Sequence, residues 1–500
     1  MKTTKNAFVD AAKTESNVTT TTNGMKAYVS TMNSNLDFFA KSGSVSHPNL
    51  ISNFLAALKE DEDLAIRNLL HMRDVRTGKG IRNNSRTILT YLAQNKPELI
   101  TSTNIVQRFV DLGRWDDILE ILKQPNKQPS NFVLNLIAAE LQKEQPNKLL
   151  CKWLPRNDKV AAKDRKSNYD IVAKLLRQKL QLSPKQYRQL LVKNTEVVET
   201  QMCSKKWNNI NFQFVPSQAF RIYKKAFERH TPDLFTKFIN KVESGEATVN
   251  ASSIWPHEIL RSVIPSPGQH RKNTYSPATQ AQWNSLPDFM QSEKSILPLI
   301  DVSGSMSAKA YSDFTCATLA VSLGLYTAER NKSAFKNMFM TFESQPSLCV
   351  LRDTMSLTDK VNHIANQPWG GSTDIVAALQ KVVTHALKHK VPKKDMPEYL
   401  VVFTDMGFNS YNSYDSYGNK DAMEVVRTTF KSAGYKVPVV VWWNLSGTAN
   451  PVVLDQTKKT AIMSGFSPSN FKAIFELDSE NFNPMSIMTK VLLDDKYGWK

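Results

Sequence analysis

A chain of 500 residues is too long for one ordinary hydrophobic core, so two or more domains are expected. Its hydrophobic fraction of 41% and charged fraction of 22% are normal for a globular protein. Its longest apolar runs are only as long as a strand, which excludes an ordinary membrane-spanning helix. The formal net charge of +18 favours a polyanionic partner.

The positive charge is concentrated in the first 294 residues. They hold 43 basic and 27 acidic side chains, a net of +16, whereas residues 295–500 hold 21 basic and 19 acidic side chains, a net of +2. Residues 143–229 alone hold 20 basic and 7 acidic side chains, with aromatic residues between them. This pattern predicts RNA binding through phosphate contacts and base stacking. A solvated basic face without a specific partner is the alternative.

The cysteines and the N-terminus bear on location. The four cysteines, Cys151, Cys203, Cys316 and Cys349, lie far apart, without the paired spacing of a zinc or redox motif. No apolar segment typical of a secretory signal opens the chain. We therefore expect reduced thiols and a cytoplasmic location.

The predicted elements divide the chain into four segments. Residues 1–28 are polar and without apolar periodicity, which predicts a flexible leader. Residues 29–265 predict an all-α, HEAT-like helical-repeat domain, because apolar residues recur three and four apart between short Asn-, Pro- or Gly-containing breaks. Residues 266–294 are rich in Pro, Ser and basic residues and are interpreted as a connector. Residues 295–500 predict a doubly wound, Rossmann-like α/β domain.

The α/β prediction depends on alternation along the chain. Residues 295–301, 398–405 and 437–445 are apolar strands, and residues 310–329, 373–389 and 421–435 are amphipathic helices. Strands that are apolar throughout are typical of a parallel sheet covered by helices on both faces. Residues 337–343 and 347–353 predict an antiparallel hairpin at the edge of this sheet.

Oxygen-bearing side chains follow two of these apolar strands and also lie in one Gly-rich segment. Asp301, Ser303 and Ser305 follow the first strand, Thr373 lies in "WGGSTDI", and Asp405 follows the strand "VVFT". In a doubly wound sheet such positions meet at the carboxyl edge. Carboxylates and hydroxyls suit Mg²⁺, or another divalent cation such as Mn²⁺, with a remaining position for a carboxylate of an acidic protein partner. Each segment alone also fits a turn, a helix start or a cap.

Two groups of basic residues are candidate RNA contacts. The first surrounds "RTGKG", where RNA-backbone contact competes with a loop paired to Asp74 and neighbouring acids. The second lies in the basic stretch. The candidates are Arg73, Arg76, Lys79, Arg82 and Arg86 in the first group and Lys205, Lys206, Arg221, Lys224 and Lys225 in the second. In "GRWDD", Trp115 is predicted to pack in the core, and His257 is predicted to be a structural residue at a helix start.

Several motifs resemble known families. "DVSGSM", "GGSTD" and "FTD" resemble the metal-ion-dependent adhesion site (MIDAS) of von Willebrand factor A domains, which implies that the five oxygen-bearing residues above are its metal ligands. "MRDVRTGKGIRNNSR" and "GRWDDIL" resemble the TROVE module of Ro autoantigen-like RNA-binding proteins. "SSIWPHEIL" and "SGFSPSNFKAIFE" resemble an uncharacterised Ro-like family that fuses both halves. Membership would imply a helical-repeat ring that binds misfolded and small structured RNAs.

The sequence thus predicts a non-enzymatic, Ro-like RNA-binding protein whose C-terminal domain holds a divalent cation for partner binding or ring closure. It contains no convincing nucleophile–base arrangement and no dinucleotide-binding glycine fingerprint, so neither an enzyme nor a small-molecule substrate is expected. No membrane partner is expected. The alternative is a protein assembly factor whose metal site grips a partner carboxylate, without RNA.

Overall fold

The computed structural model describes residues 6–43, 49–156, 169–261, 263–264, 275–311, 313–369, 371–409, 420–447, 449–477 and 481–500. The chain divides into two units. Unit 1 comprises residues 1–68, 255–276 and 286–494, and unit 2 comprises residues 69–254, 277–285 and 495–500.

The helices and strands of the described residues are numbered in chain order. The helices are α1 (Ala7–Ser16), α2 (Ser34–Lys41), α3 (Leu50–Glu60), α4 (Glu62–Arg73), α5 (Arg82–Asn95), α6 (Pro97–Thr101), α7 (Ile105–Leu112), α8 (Trp115–Leu122), α9 (Lys127–Leu141), α10 (Lys148–Trp153), α11 (Tyr169–Lys179), α12 (Pro184–Lys193), α13 (Val198–Cys203), α14 (Ser217–His230), α15 (Pro232–Glu243), α16 (Pro256–Leu260), α17 (Pro277–Asn284), α18 (Cys316–Arg330), α19 (Leu357–Ala365), α20 (Ile375–Lys388), α21 (Ala422–Ser432), α22 (Phe471–Glu476) and α23 (Pro484–Leu492). The strands are β1 (Val18–Thr20), β2 (Lys26–Tyr28), β3 (Ile296–Asp301), β4 (Lys309–Tyr311), β5 (Phe314–Thr315), β6 (Met338–Phe342), β7 (Ser347–Val350), β8 (Tyr399–Thr404), β9 (Val439–Asn444) and β10 (Thr460–Ser464).

Unit 1 is built on a six-stranded sheet with the order β10-β9-β8-β3-β6-β7. All neighbouring strands are parallel except β6 and β7, which pair antiparallel at one edge. Leu299 and Val402 pack in one hydrophobic cluster with α20 and α21 residues, whereas Ile300 lies against Gly324 of α18. Successive side chains of a strand point to opposite faces, so helices cover both. The predicted mixed sheet with helices is confirmed.

The N-terminal segment differs from the predicted flexible leader. Strands β1 and β2 form an antiparallel hairpin, with Val18 opposite Tyr28 and Thr20 opposite Lys26. The Tyr28 N–H donates to the Pro451 carbonyl over 2.9 Å, and Tyr28 is buried. The hairpin is held in place by hydrogen-bond partners more than 380 positions later in the chain, which local periodicity does not reveal.

Residues 29–68 also lie in unit 1, although the sequence analysis grouped them with the helical-repeat domain. Helix α2 packs against β10, where the Ser464 hydroxyl donates to the Phe39 carbonyl over 2.9 Å. Phe38 and Phe39 are fully buried. The apolar face of α2 therefore covers the sheet.

Unit 2 is helical, as predicted for the N-terminal region. One of its cores joins Phe212, Phe220, Phe227 and Phe235, with ring centroids 5.2–5.8 Å apart. Helix α17, which lies in the predicted connector, adds apolar side chains to the same cluster. Among the described residues, no helix is long and apolar enough to cross a membrane.

Candidate metal centre

The site lies where β3 and its neighbours end. Strands β3 and β8 are parallel, with Ile300 opposite Phe403, and β3 also pairs with β6, with Asp301 opposite Phe342. The carboxyl ends of the three strands therefore form one edge. Asp301 is fully buried there.

Four of the five predicted ligands are in contact. The Ser303 hydroxyl donates to Asp301 Oδ1 over 2.6 Å and lies 3.2 Å from the Ser305 hydroxyl. Thr373 Oγ1 donates to Ser303 Oγ over 3.0 Å. Adjacent ligands of an octahedral Mg²⁺, each 2.0–2.1 Å from the ion, lie about 2.9 Å apart. The distances from Ser303 Oγ to the other three oxygens are compatible with this ligand spacing.

Asp405 adds a second carboxylate beside this group. It follows β8 and is partly exposed, and its Oδ1 accepts the Gly407 N–H over 3.0 Å. Burial, and then the charge of Asp405, raise the pKa of Asp301 to about 7. The two carboxylates and the neighbouring neutral hydroxyl oxygens form a donor set that fits a small, hard divalent cation.

Sequence reasoning did not identify the residue that donates a second hydrogen bond to the Asp301 carboxylate. Thr404 Oγ1 donates to Asp301 Oδ2 over 2.6 Å and accepts the Met406 N–H over 3.0 Å. Thr404 is fully buried at the end of β8. A polar residue at the end of an otherwise apolar strand was the available signal.

The loop that carries Thr373 depends on a glycine and a cap. Gly371 has φ +66°, and a Cβ there would lie 2.5 Å from both Glu343 Oε2 and Ser344 Oγ. Gly370 lies outside the described residues. The Asp374 carboxylate accepts the Ala377 N–H over 2.8 Å and so caps the N-terminus of α20. Asp374 is therefore engaged in capping.

In the described part of the chain, no cluster of three or more His, Cys, Asp or Glu side chains is placed to hold a metal ion. The candidate centre instead depends on the hydroxyls. His385 lies in the last turn of α20 and His389 caps its C-terminus, with the two ring centroids 4.6 Å apart. Their H-x-x-x-H spacing was visible in the sequence and was missed. Burial, and then the charge of His389, lower the pKa of His385.

The first basic group is largely internal to unit 2. Arg73 Nε and Arg86 Nε each lie 2.7 Å from an oxygen of the buried Asp117 carboxylate. Arg86 also pairs with Asp116 over 2.8 Å. Lys79 is buried, and this burial lowers the pKa of its ammonium well below the ordinary range. These side chains do not present charge to a phosphate, so the structure favours the alternative of a loop paired with acids.

The remaining members of that group are more accessible. Arg76 is exposed and donates to the Asp111 carbonyl over 2.9 Å. The Arg82 side chain is 43% exposed and lies 3.6 Å from Asp116. Both keep a surface on which an anion can be bound.

The second basic group lies mostly at the surface. Lys205, Lys206 and Lys225 are exposed, and the partly buried Arg221 donates to Gln218 over 3.1 Å. Lys224 donates instead to Thr279 Oγ1, and burial lowers the pKa of its ammonium. Four of the five candidates therefore present charge to solvent.

The two predicted structural residues are buried. Trp115 is 8% exposed at the start of α8. His257 is 1% exposed in α16, and its ring makes edge contacts with Phe314 and Phe466. Both therefore contribute to packing.

Comparison with known proteins finds two family models that together match most of the chain. A family model described as a domain of unknown function, DUF2828, matches residues 21–152 and 130–296. A second, DUF7788, also a domain of unknown function, matches residues 295–493. Because the first covers more than half of the chain, this protein belongs to the DUF2828 family.

Two individual proteins are similar. Uncharacterized protein L728 of Acanthamoeba polyphaga mimivirus is 29% identical over 526 aligned positions, covering 95% of this chain and 87% of that protein. The crystal structure of the RO (RSR) protein of Deinococcus radiodurans matches 92% of this chain and 99% of its own, with 13% identity and a TM-score of 0.36.

Proposed function

We propose that this chain is a non-enzymatic binding protein whose unit 1 holds a divalent cation, Mg²⁺ or Mn²⁺. Asp301, Ser303, Ser305, Thr373 and Asp405 would hold it. The supporting observation is that Ser303 Oγ lies 2.6–3.2 Å from a side-chain oxygen of each of Asp301, Ser305 and Thr373. Mg²⁺ keeps several waters, and the bound ion would supply a Lewis-acidic position for a carboxylate of an acidic protein partner.

Calorimetric titration with Mg²⁺ and Mn²⁺ tests this proposal. One saturable site per chain is expected for the wild type, and Asp301→Asn should lower its affinity by at least about tenfold. Asp374→Asn is the matched control, since asparagine retains the helix cap beside Thr373. Its affinity should equal that of the wild type. Equal affinity in Asp301→Asn, or no saturable binding at all, would contradict the proposal.

RNA is the second proposed partner, and it would bind unit 2. The supporting observation is that exposed Lys205, Lys206 and Lys225 occur together with aromatic surface. Phe214 is 75% exposed, and the Trp207 ring stacks on His230 with centroids 4.2 Å apart. Lysines that contact phosphates and rings that stack on bases are the usual components of a single-strand binding surface.

A salt series with a pool of structured RNAs tests this second proposal. Log affinity falls with log salt concentration, and each lost phosphate contact reduces the magnitude of this slope by about 1. The double variant Lys205→Gln/Lys206→Gln should therefore bind more weakly and with a smaller slope. Lys393→Gln/Lys394→Gln, another exposed adjacent pair, should leave the affinity and the slope unchanged. An equal effect of both double variants would indicate non-specific attraction instead.

A further inference from the structure

The loop after Asp405 is held in an unfavourable backbone conformation. Met406 has φ +68° although it is not glycine, and it is 2% exposed. A left-handed conformation at a buried, bulky residue persists only where the surroundings impose it. The neighbouring Gly407 N–H donates to Asp405 Oδ1, so the path of this loop fixes the orientation of a proposed ligand.

The N-terminal hairpin supplies part of the restraint from outside the loop. Asn23 Nδ2 donates to the Gly407 carbonyl over 2.5 Å, and Thr21 Oγ1 donates to the Phe408 carbonyl. Gly24 and Asn409 form an antiparallel bridge. Gly407 is thus bonded to Asp405 through its N–H and to the hairpin through its carbonyl.

The same loop also joins the second ligand loop. The Asn409 N–H donates to the Thr373 carbonyl over 3.0 Å. The hairpin, the Asp405 loop and the Thr373 loop therefore form one hydrogen-bonded series. A displacement of the hairpin would be transmitted to two of the proposed ligands.

We propose that the turn of the N-terminal hairpin, residues 21–24, positions the cation site by holding the Asp405 loop through Thr21 and Asn23. The inference rests on the proposed cation site. Partners that orient metal ligands from outside the coordination sphere commonly contribute about 10–100-fold to metal affinity. Thr21 and Asn23 are positioning residues in this sense, and a molecule that displaced the hairpin would weaken cation binding.

Manganese affinity of hairpin variants of the full chain tests the inference. Thr21→Val and Asn23→Ala should each lower the affinity for Mn²⁺ by about tenfold. Thr21→Ser keeps the hydroxyl, and Thr22→Ala changes an exposed residue of the same turn. Both should bind within about twofold of the wild type. Thermal unfolding in EDTA is the second readout. A variant that destabilises the whole fold would have a lower unfolding midpoint even without metal, which separates this effect from a local effect on the site.

The outcomes separate the two proposals. If the wild type binds Mn²⁺ and all four variants match it, the role of the hairpin is overturned and the cation site stands. If the wild type binds no Mn²⁺, the cation site fails and this inference fails with it. If Thr21→Val does not fold, the Mn²⁺ affinity of Asn23→Ala, a change at an exposed residue, decides whether the hairpin positions the site.

Discussion

At the scale of single residues, charge alone did not reveal which basic side chains face solvent. Arg73 and Arg86 were candidate RNA contacts, but both pair with Asp117, which lies 44 and 31 residues further along the chain. Such partners are brought together only by the packing of separate helices. Lys205 and Lys206 lie outside that arrangement and are exposed.

Replacement of Asp117 by asparagine should destabilise the protein strongly. It would leave Arg73, whose side chain is 1% exposed, without its carboxylate. Breaking a buried ion pair from one side costs about 3–5 kcal/mol in the free energy of unfolding. Urea unfolding monitored by circular dichroism measures this value. Asp313→Asn, which removes the exposed pair with Arg261, should change it little, and equal losses would contradict the account.

The ion-pair cluster should also make stability depend on acidity. Burial alone would raise the pKa of Asp116, but the charges of Arg114 and Arg86 hold it below its ordinary value. A carboxyl whose folded pKa is depressed stabilises the fold above its unfolded pKa, and this contribution is lost as the pH falls. The stability advantage of the wild type over Asp116→Asn should therefore shrink from about pH 4 downwards. Urea unfolding of both proteins at pH 6, 4 and 3 measures it, and a constant difference would contradict the assignment.

At the scale of elements, strands with a long apolar run were predictable and a strand with a short apolar run was not. Strands β3, β8 and β9 lie within the predicted segments, whereas β10, whose apolar run covers only residues 461–463, was missed. The predicted helix over 310–329 begins only at Cys316, because Lys309–Tyr311 and Phe314–Thr315 form the short strands β4 and β5. Helix periodicity locates the helix interior better than its start.

The loop that carries Thr373 should tolerate no side chain at Gly371. Alanine there would adopt φ +66° and bring Cβ to 2.5 Å from Glu343 Oε2 and Ser344 Oγ. Glu343 is held by the Ser344 and Gln345 N–H groups, so it cannot move away freely. Gly371→Ala should therefore weaken Mg²⁺ binding in calorimetry as well as lower stability.

Gly434→Ala provides the matched control for this prediction. Gly434 has φ +75°, but a Cβ there would meet nothing within 4 Å. Alanine at this position should cost only the left-handed strain, about 1–2 kcal/mol, and leave Mg²⁺ affinity unchanged. Equal Mg²⁺ affinities in the two variants would show that Gly371 is needed for the backbone conformation but not for the cation site.

At the scale of the whole molecule, contacts distant in sequence account for what sequence analysis missed. The five ligand candidates could be named because they lie in three short motifs, two at the ends of apolar strands and one in a Gly-rich loop before a helix. The hairpin of residues 18–28 and helix α2 could not be assigned to unit 1, since their partners, such as Pro451 and Ser464, lie more than 400 residues away. Thr404 was missed because its contact with Asp301 spans 103 residues.

Thiol reactivity should report the intact fold. Cys203 is exposed, whereas the other three cysteines are buried. Burial raises the pKa of Cys316 to about 12 and those of Cys151 and Cys349 to about 11. Titration of the native chain with a thiol reagent at pH 8 should show one fast-reacting group, and unfolded chain should show four. More than one fast thiol in the native protein would contradict the described packing.

The location of a bound cation tests the central claim most directly. Anomalous diffraction from a crystal grown with Mn²⁺ should give a peak at bonding distance from Ser303 Oγ and Ser305 Oγ. The peak should lie on the side of these hydroxyls where the Asp301 and Asp405 carboxylates are found. Mg²⁺ in excess should remove it. A peak elsewhere, with this edge empty at saturating Mn²⁺, would contradict the account.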